Sequence, residues 1–468
     1  MHVRRTPLRA REAHDRVHLL RVPHASTPAP PRRLGLAGLV FVVFFTVSGG
    51  AFTLESLVVQ LGPVTALTAL LVIPILWAIP EGLIIGELAA RLPEAGGYYR
   101  WVRAGLGERA ALTNAWCTWC YSLVEMALYP VLVLVYLESL VGPLGRVASL
   151  AVIVSVIWIP TLLNLRGAVM VGRASIVVGV AVLAAFTVLG LLAIPRMTHA
   201  PWATLGPARP LDLSTLGAGL SLALWNWIGW DNASTIMGEV REPARTYPRA
   251  LALAIPLVAL AYAVPLLPAL AASDWRTWHE NGWPAIAATV AGDAGPWLGT
   301  VIGVLAVLSA TAMFNSLLLS YSRIPLVVAR DGLLPAWLAA TDARGTPVRA
   351  VLVSATCYTL LALLPFAELV SADVVLYAVA VFMEFAALIA LRRRAPDAPA
   401  PFRIPLGTVG VSLLAAVPAC VLLTIIVIDV TVGEYGGRAM LLALAVAALG
   451  PLLHRWRAGR RAAAAAAA

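Results

Sequence analysis

Apolar stretches of eighteen residues or more recur along this chain from Leu34 almost to the C-terminus, with short polar connections between them. Each is long enough to cross about 30 Å of hydrocarbon as an α-helix. The alternating pattern of a membrane β-barrel strand is missing, so the runs predict helices. Twelve spans follow: 34–59, 63–91, 110–141, 146–164, 169–195, 214–240, 248–272, 296–329, 348–366, 371–391, 407–430 and 436–456. Segment 1–33, rich in Arg, Pro and His, reads as disordered. Ser273 to Gly295 reads as an interfacial segment, with Trp275, Trp278 and Trp283 suited to that depth. No connection is long enough to form a soluble domain with its own core. The Ala462–Ala468 run is low-complexity and belongs to a tail at 457–468.

Composition sharpens this picture. Of 468 residues, 60% are hydrophobic and only 12% charged, half the share of about 25% that a soluble domain carries. The formal charge of +10 comes without a single lysine, so all 34 basic residues are arginine. Twenty-nine of them fall in the two tails and in or beside alternate connections, leaving Arg146, Arg196, Arg209, Arg276 and Arg438 on the other side. The positive-inside rule then predicts a multi-pass protein of the cell (inner) membrane with both termini cytoplasmic. No single module gathers the basic residues, so nucleic acid is not an expected partner; the lipid bilayer is.

The charged and small residues inside the spans carry the chemistry. Span 1 has Ser48-Gly49-Gly50 halfway along, followed by Glu55, and span 6 reads Trp225-Asn226-Trp227-Ile228-Gly229-Trp230-Asp231-Asn232 at the same depth. A glycine loosens a helix by about 1 kcal/mol relative to alanine, and a charge at bilayer centre costs about 2.5–3.5 kcal/mol on insertion scales. Close helix packing explains either motif alone. The two together open two successive five-helix blocks, which is the mark of an inverted-repeat transporter whose broken helices bind solute at the midplane. Helices 1 and 6 are therefore expected to be discontinuous.

Seven acids lie within or near the ends of the spans: Glu55, Glu81, Glu87, Glu125, Asp231, Glu239 and Glu384. Glu87, four residues before Arg91, reads as a structural pair, and Glu239 as a tie at the basic end of span 6. Glu81 and Glu384 are open to either a structural or a functional role. Glu55, Glu125 and Asp231 are deep or beside a break, where acids bind cations or relay protons. Six of seven histidines fall in tails or loops and His454 in the last turn of the final span, so proton coupling should run through carboxylates. Cys117 and Cys120 form C-x-x-C on an apolar helix, read as packing, with a redox or metal role as the alternative. No nucleophile–base pair or metal cluster occurs at membrane depth, so neither an enzyme nor a cofactor or metal is expected.

Ordered motifs add a resemblance. Ser48-Gly49-Gly50-Ala51-Phe52 and Ile79-Pro80-Glu81-Gly82-Leu83 are followed by Pro93-Glu94-Ala95-Gly96-Gly97-Tyr98 and Glu125-Met126-Ala127-Leu128-Tyr129-Pro130. Gly229-Trp230-Asp231-Asn232-Ala233-Ser234-Thr235, Gly238-Glu239-Val240 and Ala329-Arg330-Asp331-Gly332 come next, with Gly345-Thr346-Pro347. From about Leu34 to about Pro405 the chain resembles the amino acid–polyamine–organocation superfamily, and most of all its branch with plant polyamine uptake transporters. The superfamily's commoner first break has glycine first, unlike Ser48-Gly49-Gly50. The resemblance implies an all-α membrane protein of LeuT type: a ten-helix core in two inverted repeats at 34–391, a loop at 392–406 and two peripheral helices at 407–456. It places substrate at Ser48, Gly49, Gly50, Ala51, Glu55, Glu125, Tyr129, Trp225, Ile228, Gly229, Asp231 and Asn232, with Trp225 and Ile228 lining or gating the pocket. Asp231 occupies the acidic position that some relatives use in proton coupling, and Glu125 and Glu55 are the other candidates. Some relatives place a lysine in helix 5 at the sodium position; that device is absent here, leaving Arg173 as a substitute candidate.

The sequence thus predicts a secondary transporter that imports an amino acid or polyamine by alternating access, with protons as the coupling ion and a lean towards cationic amines. An exchanger remains the alternative transport mode. A channel would need rings of equivalent groups rather than paired breaks, and a sensor that binds its amine without moving it is the alternative from another class. The oligomeric state is not readable.

Overall fold

A computed structural model of the chain describes residues 34–200, 212–279, 282–332, 334–362, 367–396, 398, 400–432, 440–441, 444–449 and 452. The disordered segment expected at 1–33, the tail at 457–468, His454 and most of the last expected span, 436–456, lie outside the described residues. Among the described residues every regular element is helical, and an isolated parallel bridge joins Leu34 to Val240. Among the described residues seven helices are long and apolar enough to cross a membrane, and three shorter apolar ones join them.

The chain opens with α1 (Leu36–Val47), leaves helical geometry at Ser48, and resumes in α2 (Leu54–Ile73). α2 bends at Gly62 (φ 73°, ψ 161°), directly before Pro63, whose ring disfavours helical backbone at the preceding residue. The bend separates the first expected span from the second. Beyond it a π-turn at Pro74–Ala78 leads into α3 (Ile79–Arg91); Pro74 and Pro80 each remove a helical donor, so the ladder relaxes locally rather than running straight. A short helix, α4 (Gly97–Leu106), precedes the long α5 (Glu108–Val141), α6 (Arg146–Asn164) and α7 (Ala168–Ala193).

The second half repeats the opening event. α8 (Leu213–Trp225) is capped by Asp212, whose side chain accepts from the Thr215 N–H at 2.7 Å. It stops at Asn226, and the chain continues as a 3-10 segment, Asn232–Glu239. Then come α9 (Pro243–Ala272), a short α10 (Trp283–Val290), α11 (Gly295–Tyr321), α12 (Arg323–Arg330), α13 (Val348–Leu361), α14 (Ala367–Arg394) and α15 (Thr408–Val432). The described cysteines are all free, and Cys117 and Cys120 sit within α5 as packing residues. Trp278 and Trp283, expected at the interface, are buried instead.

Ion pairs fasten the end of the bundle that carries most arginines. Glu87 accepts from Arg91 Nε at 2.8 Å, as its spacing predicts, and also from Arg392 Nε of α14 at 2.8 Å and the Ile404 N–H at 2.9 Å. Arg392 is wholly buried and donates onward to the carbonyls of Ile404 and Leu406. Glu239 pairs with Arg323 at 3.1 Å, again the structural tie the sequence suggests. Asp331 takes Arg100, Arg103 and the Tyr99 hydroxyl, holding α4 against the segment after α12. Burial and the Asp331 carboxylate together push the Tyr99 phenol up, so it remains a donor.

These pairs generate a stability prediction. Glu87→Leu strips the buried Arg392 of its carboxylate, which costs on the order of 3–5 kcal/mol when one partner of a buried pair is removed. The detergent-solubilised variant should melt well below the parent in a thermal unfolding scan; an unchanged midpoint would show that the pair does not hold α3 to α14.

Candidate functional site

The first break begins where α1 ends. Ser48 is extended (φ −143°, ψ 142°) and its hydroxyl accepts from the Gly50 N–H at 3.0 Å, closing a tight turn. Gly50 takes φ 101°, and a Cβ there would stand 2.7 Å from Val182 of α7, so both backbone and space require glycine. The carbonyls released from the helix ladder are taken up by side chains of neighbouring helices. Ser309 of α11 donates to the Gly49 carbonyl, and the Trp283 indole to that of Ala51 at 2.7 Å. Trp283 is thus drawn from the interface to the break by a carbonyl that would otherwise be bare in an apolar interior.

The second break lies against the first. Thr46 donates to the Gly229 carbonyl at 3.2 Å, and Thr53 to Asn226 Oδ1 at 3.1 Å. Gly229 has φ 100°, and a Cβ on it would meet the Thr46 carbonyl oxygen at 2.4 Å. The Asn226 carbonyl accepts from Tyr262 at 2.7 Å and that of Trp230 from Tyr247 at 2.8 Å, both hydroxyls reaching across from α9. The two unwound segments therefore cross in contact, with threonines flanking the first break donating to acceptors of the second.

Buried acids surround the crossing. Glu125 accepts from Tyr129 at 3.2 Å and from the Tyr321 hydroxyl of α11, and Tyr129 lies 6.5 Å from the Trp225 ring, centroid to centroid. Asp231 is buried, with Oδ1 lacking a hydrogen-bond partner. It is an electrostatic neighbour of Glu125 and also of Glu81 and Glu384. Glu55 stands apart from that group: it is fully buried on the first turn of α2, facing Tyr136 and Trp283. Tyr121 of α5 donates to Asn232 Oδ1 at 3.4 Å, with its ring edge-on to Tyr321.

Of the residues expected at the site, Ser48, Gly49, Gly50 and Ala51 form the first turn, and Asn226 to Asn232 the second. Trp225 ends α8 and Ile228 lies within the second break, both partly buried. Glu125, Tyr129 and Asp231 come together, whereas Glu55 belongs to a separate polar spot. Sequence reading missed the tyrosines: Tyr98, Tyr121, Tyr247, Tyr262, Tyr321 and Tyr377 are all buried around the crossing. For Tyr121, Tyr262, Tyr321 and Tyr377 the signal was available as hydroxyl-bearing rings inside apolar spans, where a phenol needs a partner; Tyr98 and Tyr247 lie outside the expected spans and carried no such signal. Among the described residues no group of three His, Cys, Asp or Glu side chains is arranged to hold a metal ion.

Residues 34–448 match the amino acid permease family. The chain is 38% identical over 425 residues to polyamine transporter PUT1 of Oryza sativa subsp. japonica, covering 89% of this chain and 78% of that one. It is 34% identical over 401 residues to polyamine transporter RMV1 of Arabidopsis thaliana, covering 84% and 80%. A more distant likeness, 24% over 349 residues, covers 69% of this chain and 74% of the branched-chain amino acid permease BcaP of Lactococcus lactis subsp. cremoris.

Gly229→Ala should destabilise the crossing by roughly 1–3 kcal/mol, the cost of forcing a side chain into left-handed backbone, with further loss from the approach to Thr46. Gly145, which has ordinary φ and open space around its Cβ position, supplies the control. Thermal melting of Gly229→Ala and Gly145→Ala should separate the two, and equal midpoints would contradict the geometry.

Proposed function

The chain belongs to the amino acid permease family, and from that premise we propose that it is a secondary active transporter importing an amino acid or polyamine, driven by protons. It is a multi-pass membrane transport protein, as its apolar helices and its permease relatives agree. The observation that carries the finer reading is the contact between the two unwound segments, with Asp231 beside it buried and incompletely bonded. A helix interrupted inside hydrocarbon is tolerated where it lines a binding cavity.

In this reading residues 34–391 form a LeuT-type core of two inverted five-helix repeats, and 407–456 two helices outside it. Both termini face the cytoplasm across the cell membrane, following the arginine distribution. The passenger's head group lies against the Ser48–Ala51 turn and Gly229, its side walls being Tyr129, Trp225 and Ile228. Glu125 binds the ammonium group, Asp231 and Asn232 lie below it, and Asp231 carries the coupled proton; Glu55, away from this cluster, supports the outer end. Alternating access then opens the crossing to one side of the membrane at a time. Cationic amines are favoured over neutral amino acids because Glu125 and Asp231 add negative charge at the crossing, and because PUT1 and RMV1 are named as polyamine transporters. The absence of a lysine throughout the chain fits a carboxylate as the proton carrier.

Uptake of labelled 1,4-diaminobutane, arginine and leucine into proteoliposomes, with the outside acid, tests this. At least one cation should accumulate, and a protonophore should abolish the accumulation. Glu125→Gln should weaken its apparent affinity about tenfold to a hundredfold, matching a charged hydrogen bond of about 1.5–3 kcal/mol. Asp231→Asn should uncouple uptake from the gradient. No uptake of any of the three, with or without a gradient, defeats the proposal.

A further inference from the structure

The second break is held from α9, and at both of its ends. In an unbroken helix the Asn226 carbonyl would accept from the Trp230 amide, and the Trp230 carbonyl from the Ser234 amide. The Ser234 N–H donates instead to the Asp231 carbonyl at 2.8 Å. Two phenols of α9 take over: Tyr262 donates to the Asn226 carbonyl at 2.7 Å, and Tyr247 to that of Trp230 at 2.8 Å, with the Asp231 carbonyl at 3.4 Å. Both tyrosines are buried, so water does not compete for these carbonyls. The Gly229 carbonyl between them accepts from Thr46 of α1 at 3.2 Å. Thus α9 holds the two ends of the break and α1 its middle.

The two phenols reach different halves. Asn226 closes α8, which comes from the arginine-poor side, and its own side chain is tied to Thr53 at 3.1 Å and to the Leu222 carbonyl at 2.8 Å. Trp230 stands just before the Asn232–Glu239 segment, which leads to the arginine-rich end, where Glu239 pairs with Arg323. Along α9 the order is the same: Tyr247 lies in the second turn, and Tyr262 about 22 Å further along the helix. Pro256 falls between them and leaves the Ala252 carbonyl without its helical donor, which weakens α9 between its two points of attachment. A lone buried phenol bonded to a nearby carbonyl would serve packing. Two of them, sent from one helix to opposite ends of one interruption, limit how far each half can tilt.

We propose that Tyr262 and Tyr247 are positioning residues that fasten the outer and inner halves of the second broken helix to α9 separately, so that each governs opening on its own side. The inference rests on the transport reading above, in which the crossing opens to one side at a time. Releasing Tyr262 frees the end of α8 and lets it tilt to open the outer side. Releasing Tyr247 frees the start of the Asn232–Glu239 segment and lets the cytoplasmic side open. Both residues act through the backbone they hold rather than on the passenger.

Tyr262→Phe and Tyr247→Phe each remove one hydroxyl and keep the ring. In the full-length chain without its native cysteines and carrying Ile228→Cys, a membrane-impermeant thiol reagent is applied from outside and from inside oriented vesicles, and the two labelling rates are compared. Tyr262→Phe should raise the outside-to-inside ratio about twofold to tenfold, and Tyr247→Phe should lower it by as much, the range that one neutral hydrogen bond allows. The double variant should return towards the parent ratio, which damage to the fold would not do. Anything other than opposite shifts in the two single variants overturns the proposal. Where a phenylalanine variant does not fold, 3-fluorotyrosine at that position keeps the shape and strengthens the donor; it should move the ratio the other way, and an unmoved ratio overturns the proposal as well. If the parent carrying Ile228→Cys is labelled from one side only, the transport reading itself fails, an outcome separable from the others because neither tyrosine has been changed.

Discussion

A peptide group that leaves helical geometry inside hydrocarbon must find its hydrogen-bond partner within the protein, or it costs several kcal/mol. That constraint shapes the centre of this molecule. Helices α1 and α8 both stop halfway, and the carbonyls they release are met by Ser309, Trp283, Tyr262 and Tyr247, or by the opposite break through Thr46. Neither break is self-sufficient. The crossing exists because α9, α10 and α11 send polar side chains into it, while the buried acids Glu125, Glu81 and Glu384 come from α5, α3 and α14.

Two grades of polar tie follow from this arrangement, and they differ in what they permit. The bonds around the crossing are single neutral hydrogen bonds, each contributing about 0.5–1.5 kcal/mol net, so they can be exchanged for contacts to a passenger. The ties at the arginine-rich end are ionic and multiply bonded, as where Glu87 holds Arg392, Arg91 and the Ile404 amide together. Breaking such a buried pair is far more costly. A hinge at the crossing therefore costs less than one within the α3–α14 clamp, and α2 and α3 are already interrupted by the bend at Gly62 and the π-turn.

The sequence made much of this legible. Apolar run length pointed to an all-helical multi-pass protein, and seven helices among the described residues are long and apolar enough to cross a bilayer; Ser48-Gly49-Gly50 and Gly229-Trp230-Asp231 stood out because small and charged residues are costly inside apolar spans. Glu87–Arg91 was readable from its four-residue spacing. What single-sequence reasoning could not reach depends on the register between helices far apart in the chain. Nothing local tells that Tyr377 meets Glu81, that Tyr321 meets Glu125, or that Trp283 turns inward to Ala51. The same limit joined Glu55 to Glu125 and Asp231 in one expected pocket, while the structure sets it beside Tyr136 and Trp283, and it left Glu81 and Glu384 without a role.

The claim on which the account turns is that the crossing of the two breaks is where the passenger sits and where access alternates. Ile228→Cys in a background lacking the four native cysteines, labelled in oriented vesicles with a membrane-impermeant thiol reagent, tests it directly. The account predicts labelling from either side of the membrane, and protection on addition of 1,4-diaminobutane. A cysteine that reacts from one side only, or that reacts at the same rate with and without the amine, would contradict it.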